Sequence, residues 1–435
     1  MKKAEKWFLC LFIPLSLLMM IVLPIYRAPD ELAHLQRSYV IADGQMISSM
    51  RDGIIRQPVN LSGMTREDLT TYSDLAAINA DFPDEIVENT NPTATAMYPP
   101  VSYFPQALGM WLAMLLTDNR LVIFYAARVV NWLCTMAVLW WGIRKLPQGK
   151  WIFLFLTILP VNLQQMVSAS ADGMATAIVF ALTALVLHAR MEKPKFTWRD
   201  YAVMILLAVG LVCWKVFYTP MVLLLLLIPK ACFASDKRNK LIKISCIMGS
   251  FLLVMGWGLV CYFSMFHGAS EGIEGSTASM IRYLTQHPLD YFVRLGKNLI
   301  HYGAKYVAGI FGTKLSWNNI VPGNIYWLSS FVLCLAIFLA EKTPEMTNKA
   351  RVALAGTSIL CVLIVYLLLY VWWTPMDSAM IQGFQGRYLL PLTLPVMLAV
   401  KPPQWHKEKL LPYLMGAAVL VNIGFLIRIV QHVAV

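Results

Sequence analysis

Three features of this 435-residue chain predict an all-α, polytopic membrane protein of about eleven spans. It is 58% hydrophobic and only 14% charged, against roughly a quarter charged in a soluble domain, so it lacks the charge to cover a soluble surface. Apolar runs near twenty residues recur along it, and each can cross about 30 Å of hydrocarbon as a helix. The lysines and arginines punctuate these runs instead of forming a basic tract, so the net charge of +12 reads as topology signals and not as a nucleic-acid footprint. One membrane domain, 1–435, accounts for the chain better than two or three soluble ones.

The basic residues 1–6 precede an apolar run without a small-residue cleavage pattern, which reads as an uncleaved first span. The spans are expected at 7–26, 121–142, 151–167, 174–190, 201–218, 220–229, 244–265, 324–340, 352–373, 388–400 and 411–430. The stretch 98–117 is ambiguous, since it opens Tyr98-Pro99-Pro100 and is interrupted by Pro105. Charge bias decides it. If the N-terminus is cytoplasmic and 98–117 does not cross, the short basic loops 144–150, 190–199, 230–243, 342–351 and 401–409 all face the cytoplasm; if it crosses, all five face outside. It is therefore expected to be an interfacial or re-entrant helix. Residues 290–312 carry Arg294, Lys297 and Lys305 among apolar residues at helical spacing, and read as a helix lying on the membrane surface.

Two long outer segments follow, 27–120 and 266–322. The first holds eleven acidic residues between Asp30 and Glu88. Transport proteins usually keep their loops short, so a long polar outer loop suggests an elaborated site at the membrane surface. The eight cysteines form no CxxC pair and lie mostly in apolar runs, which implies neither a disulfide framework nor a zinc site. P-loop, GxGxxG, HExxH and GxSxG patterns are missing from the sequence. An Asn60-Leu61-Ser62 triplet matches a glycosylation acceptor, a pattern that arises often by chance.

Four clusters can carry chemistry, and all fall on the outer side. In the first, Pro29-Asp30-Glu31 opens a helix that presents His34 and Arg37 together; the adjacent carboxylates suit a general base or a metal ligand, or else an N-cap and a first-turn dipole partner. The second is Ser168 to Gly173, where Asp172 is a carboxylate between two spans, a functional residue by default or a cap on the next helix. In the third, Trp214 to Pro220, Lys215 can meet a lipid phosphate or simply snorkel to the interface. The fourth is Gln382 to Pro391, where Arg387 can grip a phosphate through two hydrogen bonds and Gly383 and Gly386 allow close approach. Acids and cations at one surface suit transfer from a phosphate leaving group.

Taken in order, Pro29-Asp30-Glu31 with His34, Tyr98-Pro99-Pro100, Ser168 to Asp172, Lys215 with Tyr218, and Gln385-Gly386-Arg387-Tyr388 with Pro391 resemble a bacterial family of polytopic membrane proteins that carries an unknown-function label. That family is in turn similar to the GT-C fold glycosyltransferases, which use polyprenyl-phosphate sugars. The resemblance covers residues from about 20 to 400. It implies a GT-C-like architecture with interfacial helices in the first outer loop. Asp30 or Glu31 would be the catalytic base, with Asp30 the first choice. His34, Arg37, Tyr98, Asp172, Lys215, Tyr218, Gln385, Arg387 and Tyr388 would bind substrate, with Lys215 and Arg387 on the donor phosphate. A divalent cation is left open; if one is used, Asp30, Glu31 and Asp172 would hold it. The large soluble C-terminal domain of some relatives is missing, which favours a glycan or lipid acceptor over a protein.

The expected activity is thus inverting sugar transfer to an extracytoplasmic acceptor at a bacterial cytoplasmic membrane. Its partners are the lipid-linked donor, the acceptor and membrane lipids, without nucleic acid. A flippase or transporter of lipid-linked sugars is the first rival; it calls for charged residues deep in several spans and inverted repeats. A non-catalytic envelope assembly protein is the second, and it predicts that Asp30 and Arg387 are replaceable.

Overall fold

A computed structural model describes residues 3–47, 50–51, 54–58, 71–73, 86–89, 94–266, 277–315, 320–400 and 407–434. Asp52, the acidic residues from Glu67 to Glu85 and the Asn60-Leu61-Ser62 triplet lie outside them.

Each of the eleven apolar runs is helical. In chain order, α1 is Lys3–Val22, followed by α2 (Glu31–Ala42), α3 (Phe104–Met114) and α4 (Arg120–Lys145). Next come α5 (Lys150–Thr157), α6 (Pro160–Val167), α7 (Asp172–Glu192) and α8 (Trp198–Trp214). A run of 3-10 helix, Val216–Leu227, leads to α9 (Asp236–Cys261), α10 (Thr277–Gln286) and α11 (Pro288–Ile310). The chain closes with α12 (Asn324–Ala340), α13 (Asn348–Trp372), α14 (Leu390–Ala399) and α15 (Leu411–Val433).

Six of these helices are long and apolar enough to cross a membrane: α1, α4, α7, α9, α13 and α15. The run expected as one span at 151–167 is broken into α5 and α6, bent by 66° ahead of Pro160. Pro160 cannot continue the hydrogen-bond ladder, and Asn162 Nδ2 donates to the Leu156 carbonyl at 2.6 Å, satisfying an acceptor that the break exposes. With this pair the count is seven, and Val216–Leu227, α12 and Gly386–Ala399 are shorter apolar helices.

Among the described residues the fold is all-helical apart from one small sheet in the segment between α2 and α3. Strands β1 (Met50–Arg51), β2 (Ile54–Pro58) and β3 (Ile86–Asn89) form a small antiparallel sheet, with Ile55 opposite Asn89 and Pro58 opposite Ile86. Ile54, Ile55, Ile86 and Val87 are β-branched and favour extended backbone. Helices α2 and α3 occupy the ends of the 27–120 segment. Helix α3 has eleven residues, a rise of about 16 Å, roughly half the hydrocarbon thickness.

Helix α7 is the most buried span. Its alanines, among them Ala175, Ala177, Ala181, Ala184 and Ala189, let α4, α8, α14 and Val216–Leu227 approach closely. Asp172 begins this helix and Arg190 stands near its far end, about 27 Å away. The basic loops gather at the Arg190 end: Arg190 donates to the Leu227 carbonyl and to Thr347, Lys195 to the Ala231 carbonyl, Lys243 to that of Ile228, and Arg351 to that of Ala399. There too Lys150 pairs with Glu5 at 2.5 Å, and Glu341 caps α5 by accepting from the Trp151 and Ile152 amides, both at 2.8 Å. The four sequence clusters gather at the opposite end. In between, α9 turns Leu241, Ile244, Met248, Phe251, Leu252 and Leu259 outward, an apolar surface suited to lipid.

Helices α3 and α4 pack backbone to backbone. A Cβ added at Gly109 would stand 2.3 Å from the Ala126 carbonyl oxygen, which cannot rotate away. Gly109→Leu is therefore expected to destabilise the protein by about 1–3 kcal/mol or more, seen as a lower thermal midpoint in detergent. Gly249→Leu on α9, which meets nothing within 4 Å, is expected to melt with the wild type. Equal midpoints for the two variants would contradict this account of the α3–α4 contact.

Candidate active site

Asp30 stands at the entry to α2 with φ 62° and ψ 8°, the left-handed region that costs a non-glycine residue about 1–3 kcal/mol. Its carboxylate does not cap α2. It pairs with Arg387 Nη2, while Arg387 Nη1 donates to the Pro29 carbonyl at 3.2 Å. The strained backbone thus turns a helix-entry aspartate away from its own helix and onto a residue 357 positions later.

Asp172 is held by a turn whose polar groups are satisfied by side chains. Asn131 of α4 donates to the carbonyls of Ser168 (2.9 Å) and Ser170 (3.3 Å), the Ser170 amide donates to Ser168 Oγ, and the Asp172 amide donates to Ser170 Oγ. The carboxylate is left for two cations: Lys215 Nζ at 2.7 Å and Arg387 Nη1 at 3.5 Å. Lys215 occupies the extended joint between α8 and Val216–Leu227. It does not snorkel; it is buried, also donates to Tyr98 Oη at 2.8 Å, and lies 4.9 Å from that ring's centre.

Two acids and two cations therefore form one neutral cluster. Asp30 is its open member, with 36% of its side chain exposed against 13% for Asp172, 6% for Lys215 and 5% for Arg387. Burial by itself would raise the Asp30 carboxyl, but the Arg387 guanidinium outweighs it and holds the group below the usual carboxylate range. Arg387 Nε is buried and makes no hydrogen bond among the described residues. Around the cluster, Tyr218 Oη donates to the Tyr388 carbonyl at 2.8 Å, and the Arg387 guanidinium lies 5.3 Å from the Tyr388 ring centre. His34 Nδ1 is 2.7 Å from Tyr103 Oη. Burial, reinforced by the charge of Lys215, drives the His34 imidazole down to about 4, so it is neutral at pH 7.

A family model described as "Predicted membrane protein (DUF2142)" matches residues 14–396, which include every residue of this cluster. The chain belongs to the DUF2142 family. No curated protein and no solved structure matches it.

The structure divides the site residues that the sequence offered for this DUF2142 chain. It brings together Asp30, His34, Tyr98, Asp172, Lys215, Tyr218, Arg387 and Tyr388. Gln385 begins the turn that carries Arg387, its carbonyl accepting from the Tyr388 amide. Arg37 is directed away and donates to the Met46 carbonyl at 2.8 Å.

Glu31 requires a correction, since its side chain belongs to the scaffold and not with Asp30. It is fully buried and accepts from Arg128 Nε (2.7 Å), Arg128 Nη2 (2.6 Å), the Tyr26 amide (3.0 Å) and the Ala169 amide (3.0 Å). The expected metal set of Asp30, Glu31 and Asp172 is consequently not assembled. Asp30 and Asp172 each face a cation, and no three His, Cys, Asp or Glu side chains converge among the described residues. This donor arrangement does not fit a divalent ion.

Sequence reasoning passed over Arg128 and Tyr103. An arginine inside the apolar run 121–142 was itself a signal, because a charge at that depth requires a partner. Tyr103 gave none, since only the fold brings it to His34.

Two outcomes follow. Arg128→Met leaves the Glu31 carboxylate buried without its counter-charge, with an expected loss of about 3–5 kcal/mol and aggregation on size-exclusion chromatography. Adding Glu31→Leu recovers only part, because the Tyr26 and Ala169 amides still lack an acceptor. A single variant that melts with the wild type would overturn the scaffold role. For His34, the unfolded imidazole protonates near 6.5 and the folded one only near 4. Between those values the unfolded state binds more protons, so stability falls as pH drops from 6.5 toward 4 and is flat below, by about 3 kcal/mol in all. Thermal midpoints across this range are expected to slope in the wild type and to flatten in His34→Gln.

Proposed function

We propose that this protein is a membrane glycosyltransferase, GT-C-like in architecture. It moves a sugar from a polyprenyl-phosphate carrier to a glycan or lipid acceptor outside the cytoplasm of a bacterium, with inversion at the anomeric carbon. The observation that carries this reading is the cluster at the end of the bundle opposite Arg190, where two buried cations, Lys215 and Arg387, share Asp172 beside the open carboxylate of Asp30. In this reading all eleven apolar helices cross or fill the membrane, the N-terminus is cytoplasmic, and the basic loops face the cytoplasm.

Lys215 and Arg387 bind the donor phosphate, Arg387 with a planar fork and a buried Nε–H, Lys215 as a point charge. As phosphate engages Arg387, Asp30 is relieved of its counter-ion, and its affinity for a proton rises. The acceptor hydroxyl oxygen attacks the anomeric carbon, and the bond from that carbon to the phosphate oxygen breaks with its electron pair on the phosphate. Asp30 takes the acceptor proton. Polyprenyl phosphate leaves with one more negative charge than the donor's phosphodiester carried, and the two cations stabilise that charge as it develops. Asp172 positions them without touching the reacting atoms.

The test is transfer of radiolabel from polyprenyl-phosphate sugars to cell-envelope acceptors by protein purified into lipid nanodiscs. Asp30→Asn is expected to lower the rate by about 10²–10⁴-fold with donor affinity retained. Arg387→Ala is expected to raise the donor KM as well. Thermal midpoints measured alongside separate loss of chemistry from loss of fold. Undiminished transfer by Asp30→Asn would remove it as the base. A wild type that carries intact donor across the bilayer without transferring label would replace the enzyme by a flippase.

A further inference from the structure

The segment that carries Arg387 hangs from a helix that does not enter the bundle. Helix α11 has three distinct faces. One is docked: Arg294 donates to the carbonyls of Ser378 (2.5 Å) and Met376 (3.0 Å), and Asn298 donates to that of Ile381 (2.6 Å). Tyr306 packs on Phe384 with ring centres 4.7 Å apart, and a Cβ added at Gly386 would stand 2.6 Å from the Tyr306 carbonyl oxygen. Gly386 thus lets the backbone beside Arg387 lie directly on α11. The second face is apolar and outward, with Leu289, Phe292, Val293, Leu299, Ile300 and Val307 all exposed.

The third face is a row of three exposed side chains, the cations Lys297 and Lys305 with the hydrogen-bonding His301 between them, spaced i, i+4, i+8 along one side of the helix. No acidic side chain pairs with them among the described residues. The lone acid in α11, Asp290, is engaged by Arg294 at 2.6 Å and by Tyr370 Oη at 2.9 Å. The two lysines stand two turns apart with His301 between them, so an anionic layer can meet all three along one side of the helix. An apolar stripe beside such a row, on a helix lying across the end of the bundle, matches the boundary between acyl chains and negatively charged headgroups.

We propose that α11 binds anionic phospholipid through Lys297, His301 and Lys305 with its apolar face among the acyl chains, and that this binding holds the 374–388 segment, and with it Arg387, in place. The consequence for donor binding rests on the function proposed above; the lipid binding and the ordering of the segment do not.

Hydrogen exchange of the whole protein in nanodiscs tests it, read at the backbone amides of 374–388. The Gln382 amide, which donates to Thr374 Oγ1 at 3.0 Å, is the most direct reporter. In phosphatidylcholine containing phosphatidylglycerol, exchange there is expected to be slower than in phosphatidylcholine alone, by roughly ten-fold. The triple variant Lys297→Gln, His301→Gln, Lys305→Gln is expected to exchange at the faster rate in both lipids, with its thermal midpoint in detergent unchanged. Soluble glycerophosphoglycerol is expected to leave exchange unaltered; protection by it would reassign the row to free anions. Equal exchange of the wild type in the two lipids would overturn the proposal, as would protection that persists in the triple variant. Both readings are independent of sugar transfer, so a failure of the function above leaves them intact.

Discussion

The buried pair of Glu31 and Arg128 ties together the parts on which the end carrying the cluster depends. Arg128 comes from α4 and donates to the carbonyls of Leu23 and Pro24, where α1 ends, at 2.7 and 2.9 Å. Glu31 comes from α2 and accepts from the Ala169 amide, in the turn that leads into α7. Two ions fully removed from solvent are costly, and that cost is offset only when their remaining hydrogen-bonding capacity is filled. Here it is filled largely by backbone groups of two segments, the end of α1 with the turn after it and the turn before α7. The neighbouring residue, Asp30, is thereby held in a left-handed backbone conformation that an aspartate would not otherwise favour.

From that anchor the cluster follows by short steps. Glu31 fixes Asp30 from one side and Ala169, three residues before Asp172, from the other. Asp172 then holds Lys215 and Arg387 within reach of each other, although two cations alone would repel. The result is a neutral group in a setting where an unbalanced charge would be expensive. In the function proposed above, neutrality would also make the cluster responsive: an entering phosphate would compete with the carboxylates for both cations, and the carboxylate displaced most readily would be the exposed one, Asp30.

Around this cluster the molecule uses helix ends in two ways. At the basic end, side chains close carbonyls and amides that the helices leave open, as Glu341 does for α5 and Lys243 for Ile228. At the other end, elements outside the long apolar helices take that role: Ser102, just before α3, donates to the Cys213 carbonyl at 2.5 Å, and α11 supports the segment leading to Arg387. The end that carries the cluster is thus built in part from elements other than the long apolar helices.

The sequence by itself determined the class of the protein, its apolar helices and the basic loops that punctuate them. Those features follow from local hydrophobicity and charge, which a linear chain displays directly. It also singled out Asp30, Asp172, Lys215 and Arg387, because a charged residue at the edge of an apolar run is conspicuous. Only the tertiary structure decided that adjacent Asp30 and Glu31 have different roles, that α5 and α6 part at Pro160, and that the segment between α2 and α3 contains a sheet. The division between Asp30 and Glu31 turns on partners 357 and 97 positions away, Arg387 and Arg128. Pairings at such separations are set by the packing of helices against one another, and leave no periodicity along the chain.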